Sequence, residues 1–270
     1  MLKPGVLKLG VVPYLNALPL YRVLDARDNI EIVAAVPSQL SRILQRGEVD
    51  VALLPVVEHF RGVGESLISN SCIGCTREVR SVLLFSRVPF NQVQSVALDT
   101  SSRTSVALTK VILADSFGLS PTFHNAKPDL ETMLESCDAA LVIGDPALVA
   151  AQNFAPKIES GALRVLDLGA AWFDLTKLPF VFAAWVSRKN LQNTDQIARL
   201  LDDARENGTA HFAQIARDAA PNSNLSQDVI ESYYRHNIEY SMTAAHRQGL
   251  EEFRRRCAAH HLLNSTLYSA

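Results

Sequence analysis

Three short, strongly apolar segments fall within the first 55 or so residues: Val6–Val12, Ile30–Val36 and Val49–Leu54. After the second of them, Pro37-Ser38 opens a helix whose Leu40, Ile43 and Leu44 recur at i, i+3 and i+4 before Gly47 stops it. A shorter helix, to about Leu24, separates the first two. Strands that are apolar along their whole length, alternating with helices, must be covered on both faces. That is the pattern of a parallel sheet with right-handed crossovers, and it makes the chain an α/β protein.

The pattern then restarts. Ser81–Phe85 reads as another apolar strand, and Arg87-Val-Pro-Phe-Asn91 as a connector rather than an element. Beyond it come a strand at Val93–Leu98, a helix at Val106–Phe117 ending at Gly118, a short helix at Asp129–Glu135, a buried strand at Ala139–Ile143, and a last short strand at Val165–Leu168. Leu178-Pro-Phe-Val-Phe-Ala-Ala-Trp-Val186 is long and apolar enough to run back into the first lobe. The reading is therefore two lobes of mostly parallel sheet with a cleft between them. Residues 1–88 plus 183–270 form the first lobe and 89–182 the second. From Thr194 the chain reads as helical: to about Arg217, from Leu225 to about His236, and from Thr243 to about His261, where Leu250, Phe253 and Cys257 share a face.

At 270 residues the chain can bury a core in each of two lobes, and 48% hydrophobic against 20% charged residues excludes disorder and coiled coil. A formal charge of -2, spread over interspersed signs, lacks the broad basic field that a nucleic-acid backbone requires. An anionic small molecule would have to be held by local donors and helix N-termini instead. No run approaches the roughly 18 uninterrupted apolar residues of a membrane span. The first 20 or so residues carry no small-residue cleavage site, so a cytoplasmic location is expected. Cys72, Cys75, Cys137 and Cys257 then read as reduced thiols, with no disulfides.

Cys72-Ile-Gly-Cys75 has metal or redox spacing, yet no second ligand pair accompanies it and an apolar strand follows it, so inert thiols are the better reading. There is no G-x-S-x-G, Walker loop, G-x-G-x-x-G or H-E-x-x-H, which leaves hydrolase, nucleotide, dinucleotide and metalloprotease readings without support. Asp99-Thr-Ser-Ser-Arg-Thr-Ser105 is more informative. It sets a run of hydroxyls and one guanidinium at the start of a helix, where free N–H groups await an acceptor. Ser101, Ser102, Arg103 and Thr104 are thus candidates for a carboxylate or phosphate cradle, although Ser101 and Ser102 also suit plain N-capping. Gly144-Asp145 ends a parallel strand, where ligands collect; a simple turn fits equally well. Asn16 ends the first strand in the same way, as ligand contact or helix cap, and its neutral amide is a poor base. Ser81 interrupts the entry to its strand, as a site hydroxyl or a satisfied strand-edge group.

Taken in order, Tyr14-Leu-Asn-Ala-Leu-Pro-Leu20, Arg46-Gly-Glu-Val-Asp50, the Ser-rich strand Ser81–Pro89, Thr100-Ser-Ser-Arg-Thr-Ser-Val106, Ile143-Gly-Asp145 and Leu178-Pro-Phe-Val-Phe-Ala-Ala-Trp185 resemble the chorismate dehydratases of the futalosine route to menaquinone. The resemblance spans nearly the whole chain. It implies a type II periplasmic-binding-protein fold turned to catalysis, with chorismate as the small-molecule substrate and no metal or redox cofactor. It implies Asn16 and Ser81 as catalytic residues, and Ser101, Ser102, Arg103, Thr104, Gly144 and Asp145 as substrate-binding residues. Within it, the substrate's own enolpyruvyl carboxylate, positioned by Asn16, is the expected base. Ser81 and the loop Ser102–Thr104 would bind carboxylates or assist hydroxide departure. A non-catalytic solute-binding protein, or the later enzyme of the same pathway, are the alternatives.

Overall fold

In the computed structural model, residues 5–25, 27–99 and 101–263 are described. In chain order the elements are β1 (Leu7–Val11), α1 (Leu18–Tyr21), β2 (Ile30–Ala34), α2 (Pro37–Gln45), β3 (Val51–Pro55), α3 (Val56–Phe60), β4 (Leu67–Cys75), β5 (Val82–Ser86), β6 (Ser95–Asp99), α4 (Thr104–Phe117), β7 (Thr122–Ala126), α5 (Leu130–Ser136), β8 (Ala139–Ile143), α6 (Asp145–Asn153), α7 (Ala155–Glu159), β9 (Arg164–Asp167), α8 (Leu168–Thr176), β10 (Phe180–Ser187), α9 (Thr194–Ala210), α10 (Phe212–Ala219), α11 (Gln227–His236), β11 (Glu239–Ser241) and α12 (Ala244–Ala259). Short 3-10 turns link several of them, the first at Leu15–Ala17.

The strands form two sheets, one ordered β11-β4-β10-β3-β1-β2 and the other β7-β6-β8-β5-β9. The two-lobed α/β architecture is as the sequence predicts, but the sheets are mixed rather than mostly parallel. β1 pairs parallel with β2 and β3, and β6 with β7 and β8. The strands nearest the crossings, β5 and β10, run against both of their neighbours. A segment that has just changed lobes enters its new sheet from the opposite end, so it pairs antiparallel.

The lobe boundary at residue 88 needs correction for the same reason. β5 lies between β8 and β9 in the second sheet, so the chain crosses before Val82, not after Val88. An all-apolar strand such as Val-Leu-Leu-Phe-Ser fits either sheet, and its sequence does not say which. The return is earlier too: Phe180 already pairs with Cys75 in the first sheet, ahead of residue 183. Asp167 ties the two crossings together. Its carboxylate accepts from Val79 N (3.1 Å) and Arg80 N (2.7 Å) on the outward crossing, and from Gly169 N (2.9 Å) and Ala170 N (3.2 Å) as the N-cap of α8.

Where helix chemistry is strong, the boundaries match the sequence signals. Asp129 caps α5 through Thr132 N at 2.9 Å, Gly118 ends α4 in the left-handed conformation (φ 68°), and Thr243 forms a capping box with His246 on α12. The helix expected from Thr194 to Arg217 is instead two, broken at His211 (φ -120°, ψ 29°) just after the weak helix formers Gly208 and Thr209. The larger core runs through both lobes, from Leu9 and Leu53 to Leu98, Leu108 and Trp172, and a smaller one around Phe85, Met133 and Val142 fills the outer face of the second sheet. The lobes are thus packed together along one side of the cleft. Among the described residues no helix is long and apolar enough to cross a membrane.

Candidate active site

A narrow cleft with a cavity volume of about 70 Å³ opens between the lobes. Apolar walls come from Val12, Leu53, Ile73, Val82, Ile143 and Phe182, and the polar lining from Tyr14, Asn16, Ser81, Ser102, Arg103, Thr104 and Ser105. Arg103 is the only charged side chain among the described lining residues. Such a surface suits a flat, mostly hydrocarbon anion.

The first wall grows out of β1. Its buried strand ends at Val11, and Pro13 leads into the turn Leu15–Ala17. That turn is seated on the second lobe: Leu15 N donates to both carboxylate oxygens of Asp145, at 3.1 and 3.4 Å. Gly144 precedes Asp145 at φ 65° and ψ -148°, a conformation essentially restricted to glycine. A Cβ there would stand 3.2 Å from the Tyr14 ring, so glycine also lets the two lobes approach. Burial pushes the Asp145 carboxyl up to about 6, opposed by the Leu15 N–H. Asn16 is thereby presented to the cleft, and its Oδ1 is buried without a hydrogen-bond partner.

The opposite wall is the start of α4. The capping expected of Ser101 and Ser102 does not occur, since the N-cap residue is Arg103 and no side chain caps the helix. Ser101 turns away instead, its Oγ donating to Asp99 Oδ1 at 2.6 Å, and it is absent from the cleft lining. The N–H groups of Thr104, Ser105 and Val106 lack acceptors within the helix, as first-turn groups do, and the helix dipole adds positive potential there. Thr104 Oγ1 accepts from Val57 N at 3.4 Å, which fixes the helix end against the first lobe. Thr100 lies outside the described residues.

Ser81 forms the floor. It is fully buried yet lines the cleft, and its carbonyl accepts from Gly144 N at 2.7 Å. Behind it stands Tyr233 on α11, whose phenol donates to Ser81 Oγ at 2.7 Å. Nothing in the sequence marks Tyr233, since an aromatic pair on an amphipathic helix reads as core. Tyr14 stands within its matched segment without an assigned role; it lines the cleft, and burial raises its pKa.

Of the sequence-derived candidates, the cleft brings together Asn16, Ser81, Ser102, Arg103, Thr104 and Gly144. It does not include Ser101 or Asp145, whose side chains are directed at Asp99 and at Leu15 N. Cys72 and Cys75 lie buried on β4, and burial raises both thiols, Cys72 to about 12. Among the described residues no group of three or more His, Cys, Asp or Glu side chains is arranged to hold a metal ion.

A family profile described as menaquinone biosynthesis matches residues 7–259. The chain is 30% identical over 257 residues to the chorismate dehydratase of Thermus thermophilus, covering 91% of this chain and 93% of that one. It is also 30% identical over 181 residues to the chorismate dehydratase of Campylobacter jejuni, covering 64% of each. Among solved structures, a protein from Archaeoglobus fulgidus aligns with TM-score 0.71 at 15% identity, over 94% of this chain and 97% of that one. The periplasmic aliphatic sulphonate-binding protein of Escherichia coli aligns with TM-score 0.67 at 17% identity, over 96% and 89%. The chain thus has a two-lobed, periplasmic-binding-protein-like fold. By sequence, the chain belongs to the menaquinone biosynthesis family.

Proposed function

We propose that this protein dehydrates chorismate to 3-(1-carboxyvinyloxy)benzoate. The observation that carries the reading is the cleft itself: apolar walls for a ring, a helix N-terminus with Arg103 for carboxylates, and a buried, unpartnered amide oxygen on Asn16. Chorismate matches these features in kind, having two carboxylates, a six-membered ring and one hydroxyl donor.

The hydrogen removed lies on the ring carbon bearing the enolpyruvyl ether, and it is acidified vinylogously by the ring carboxylate. Donors at the start of α4 and Arg103 stabilise the negative charge that develops on that carboxylate. The proton passes to the substrate's own enolpyruvyl carboxylate, and the C–H electron pair enters the ring. Loss of hydroxide from the neighbouring carbon then completes the aromatic ring, and the new carboxylic acid returns its proton to the hydroxide as water. The substrate carries its own carboxylate base; Asp145 is turned onto Leu15 N, and Asp99 accepts from Ser101 through Oδ1. Asn16 is suited to hold both reacting groups, its Oδ1 accepting from the leaving hydroxyl and an amide N–H donating to the enolpyruvyl carboxylate. Holding them in reacting geometry is worth several orders of magnitude in rate.

Steady-state turnover and chorismate affinity, measured together on the wild type and Asn16→Ala, test this. The variant should keep its fold and bind chorismate within about tenfold, while kcat falls by roughly 10²–10³-fold, the scale seen when one preorganised polar contact is removed. Chorismate bound tightly but never converted by the wild type would instead support a solute receptor.

A further inference from the structure

Tyr233, Tyr234 and Tyr240 are three tyrosines buried in the first lobe, but only one is wired to the cleft. The hydroxyls of Tyr234 and Tyr240 have no hydrogen-bond partner. The core at this place therefore accommodates a tyrosine without satisfying its oxygen. Tyr233 differs: its phenol donates to Ser81 Oγ at 2.7 Å.

A phenol has a single proton, and here it is committed to the Ser81 oxygen. Having accepted from Tyr233, Ser81 has its own proton free for another acceptor, and among the described residues no protein acceptor takes it.

We infer that Tyr233 is a positioning residue: it makes Ser81 a hydrogen-bond donor to the bound ligand. The inference rests on the chorismate reading above. In that reading the Ser81 proton meets the departing hydroxide, or a carboxylate, while Asn16 Oδ1 receives the hydroxyl hydrogen. Without the phenol, the Ser81 hydroxyl is free to reorient, and the cleft loses a fixed donor although the Ser81 side chain remains.

The test is a cycle of Tyr233→Phe, Ser81→Ala and the double variant, with Tyr234→Phe as a control on the same helix, all assayed for chorismate turnover and thermal unfolding. We expect Tyr233→Phe to lower kcat by at least about tenfold, below the full loss for a direct contact, with KM changed less than about threefold and Tm close to wild type. Added to Ser81→Ala, it should lower kcat by no more than about threefold, because most of its effect passes through that hydroxyl. Tyr234→Phe should leave kcat unchanged. Full activity in Tyr233→Phe, or losses that multiply in the double variant, would overturn the positioning role while leaving the dehydratase reading intact. A wild type inert toward chorismate would overturn both.

Discussion

Asp145 illustrates how one side chain can serve a site without lining it. Its carboxylate receives Leu15 N and so holds the turn that carries Asn16, at the expense of desolvating a charge. Burial raises its pKa from the ordinary carboxylate value to about 6, so between those values the folded protein binds a proton that the unfolded chain has already lost. The associated stabilisation is complete below the ordinary value and is lost as pH rises through about 6. Asp145→Asn keeps an oxygen for Leu15 N and removes the charge. We expect thermal unfolding of this variant to show a flatter profile between pH 4 and pH 7, and a Tm at pH 8 no lower than wild type. A profile parallel to wild type would mean that the carboxylate carries no burial penalty. Asn16 and Ser81 were legible as candidates because each interrupts an apolar strand pattern at a strand end. The direction of Asp145 was not, because a Gly-Asp-Pro turn carries the same sequence whether its carboxylate faces a ligand or a backbone N–H.

Among the elements, α1 is only four residues long and carries no side-chain cap at its start, yet it follows directly on the Asn16 turn. Its placement depends on α9. Gly208 is buried on α9, and a Cβ there would fall well inside contact distance of the Pro19 carbonyl oxygen. Glycine in a helix interior costs about 1 kcal/mol relative to alanine, so its presence reflects the close approach it permits. We expect Gly208→Ala to cost about 1–3 kcal/mol net of that gain, because the Pro19 backbone must move. It should lower Tm by several degrees and reduce kcat/KM along with it, both checked on one purified sample. Unchanged stability would show that α1 shifts freely. Pairings of this kind escape a sequence reading: Pro19 and Gly208 look like a helix start and a helix defect, and only the fold brings them together. β4 was missed for a related reason. Ser69, Asn70 and Ser71 break its apolar run, but Ser71 N donates to Ser69 Oγ at 2.9 Å and Ser71 Oγ to Asp202 on α9 at 2.8 Å, so the two buried hydroxyls are satisfied within the protein.

For the molecule as a whole, apolar strand spacing conveyed two α/β lobes and a cleft, because burial on both faces leaves a strong mark on sequence. It did not convey which sheet β5 joins, since that depends on the Asp167 clamp and on pairing partners far away in the chain. The closed arrangement of the lobes, with the Asn16 turn on Asp145 and the α4 start on Val57, places donors, a guanidinium and an unpartnered carbonyl around one apolar space. The reaction we propose for it is one in which the protein orients and the substrate supplies the base. The most direct measurement is product identity, by mass spectrometry and NMR, after incubation of the purified protein with chorismate. The account predicts loss of one water per chorismate, giving an aromatic ring that retains its enolpyruvyl ether. Chorismate recovered unchanged, or converted with loss of the enolpyruvyl group, would contradict it.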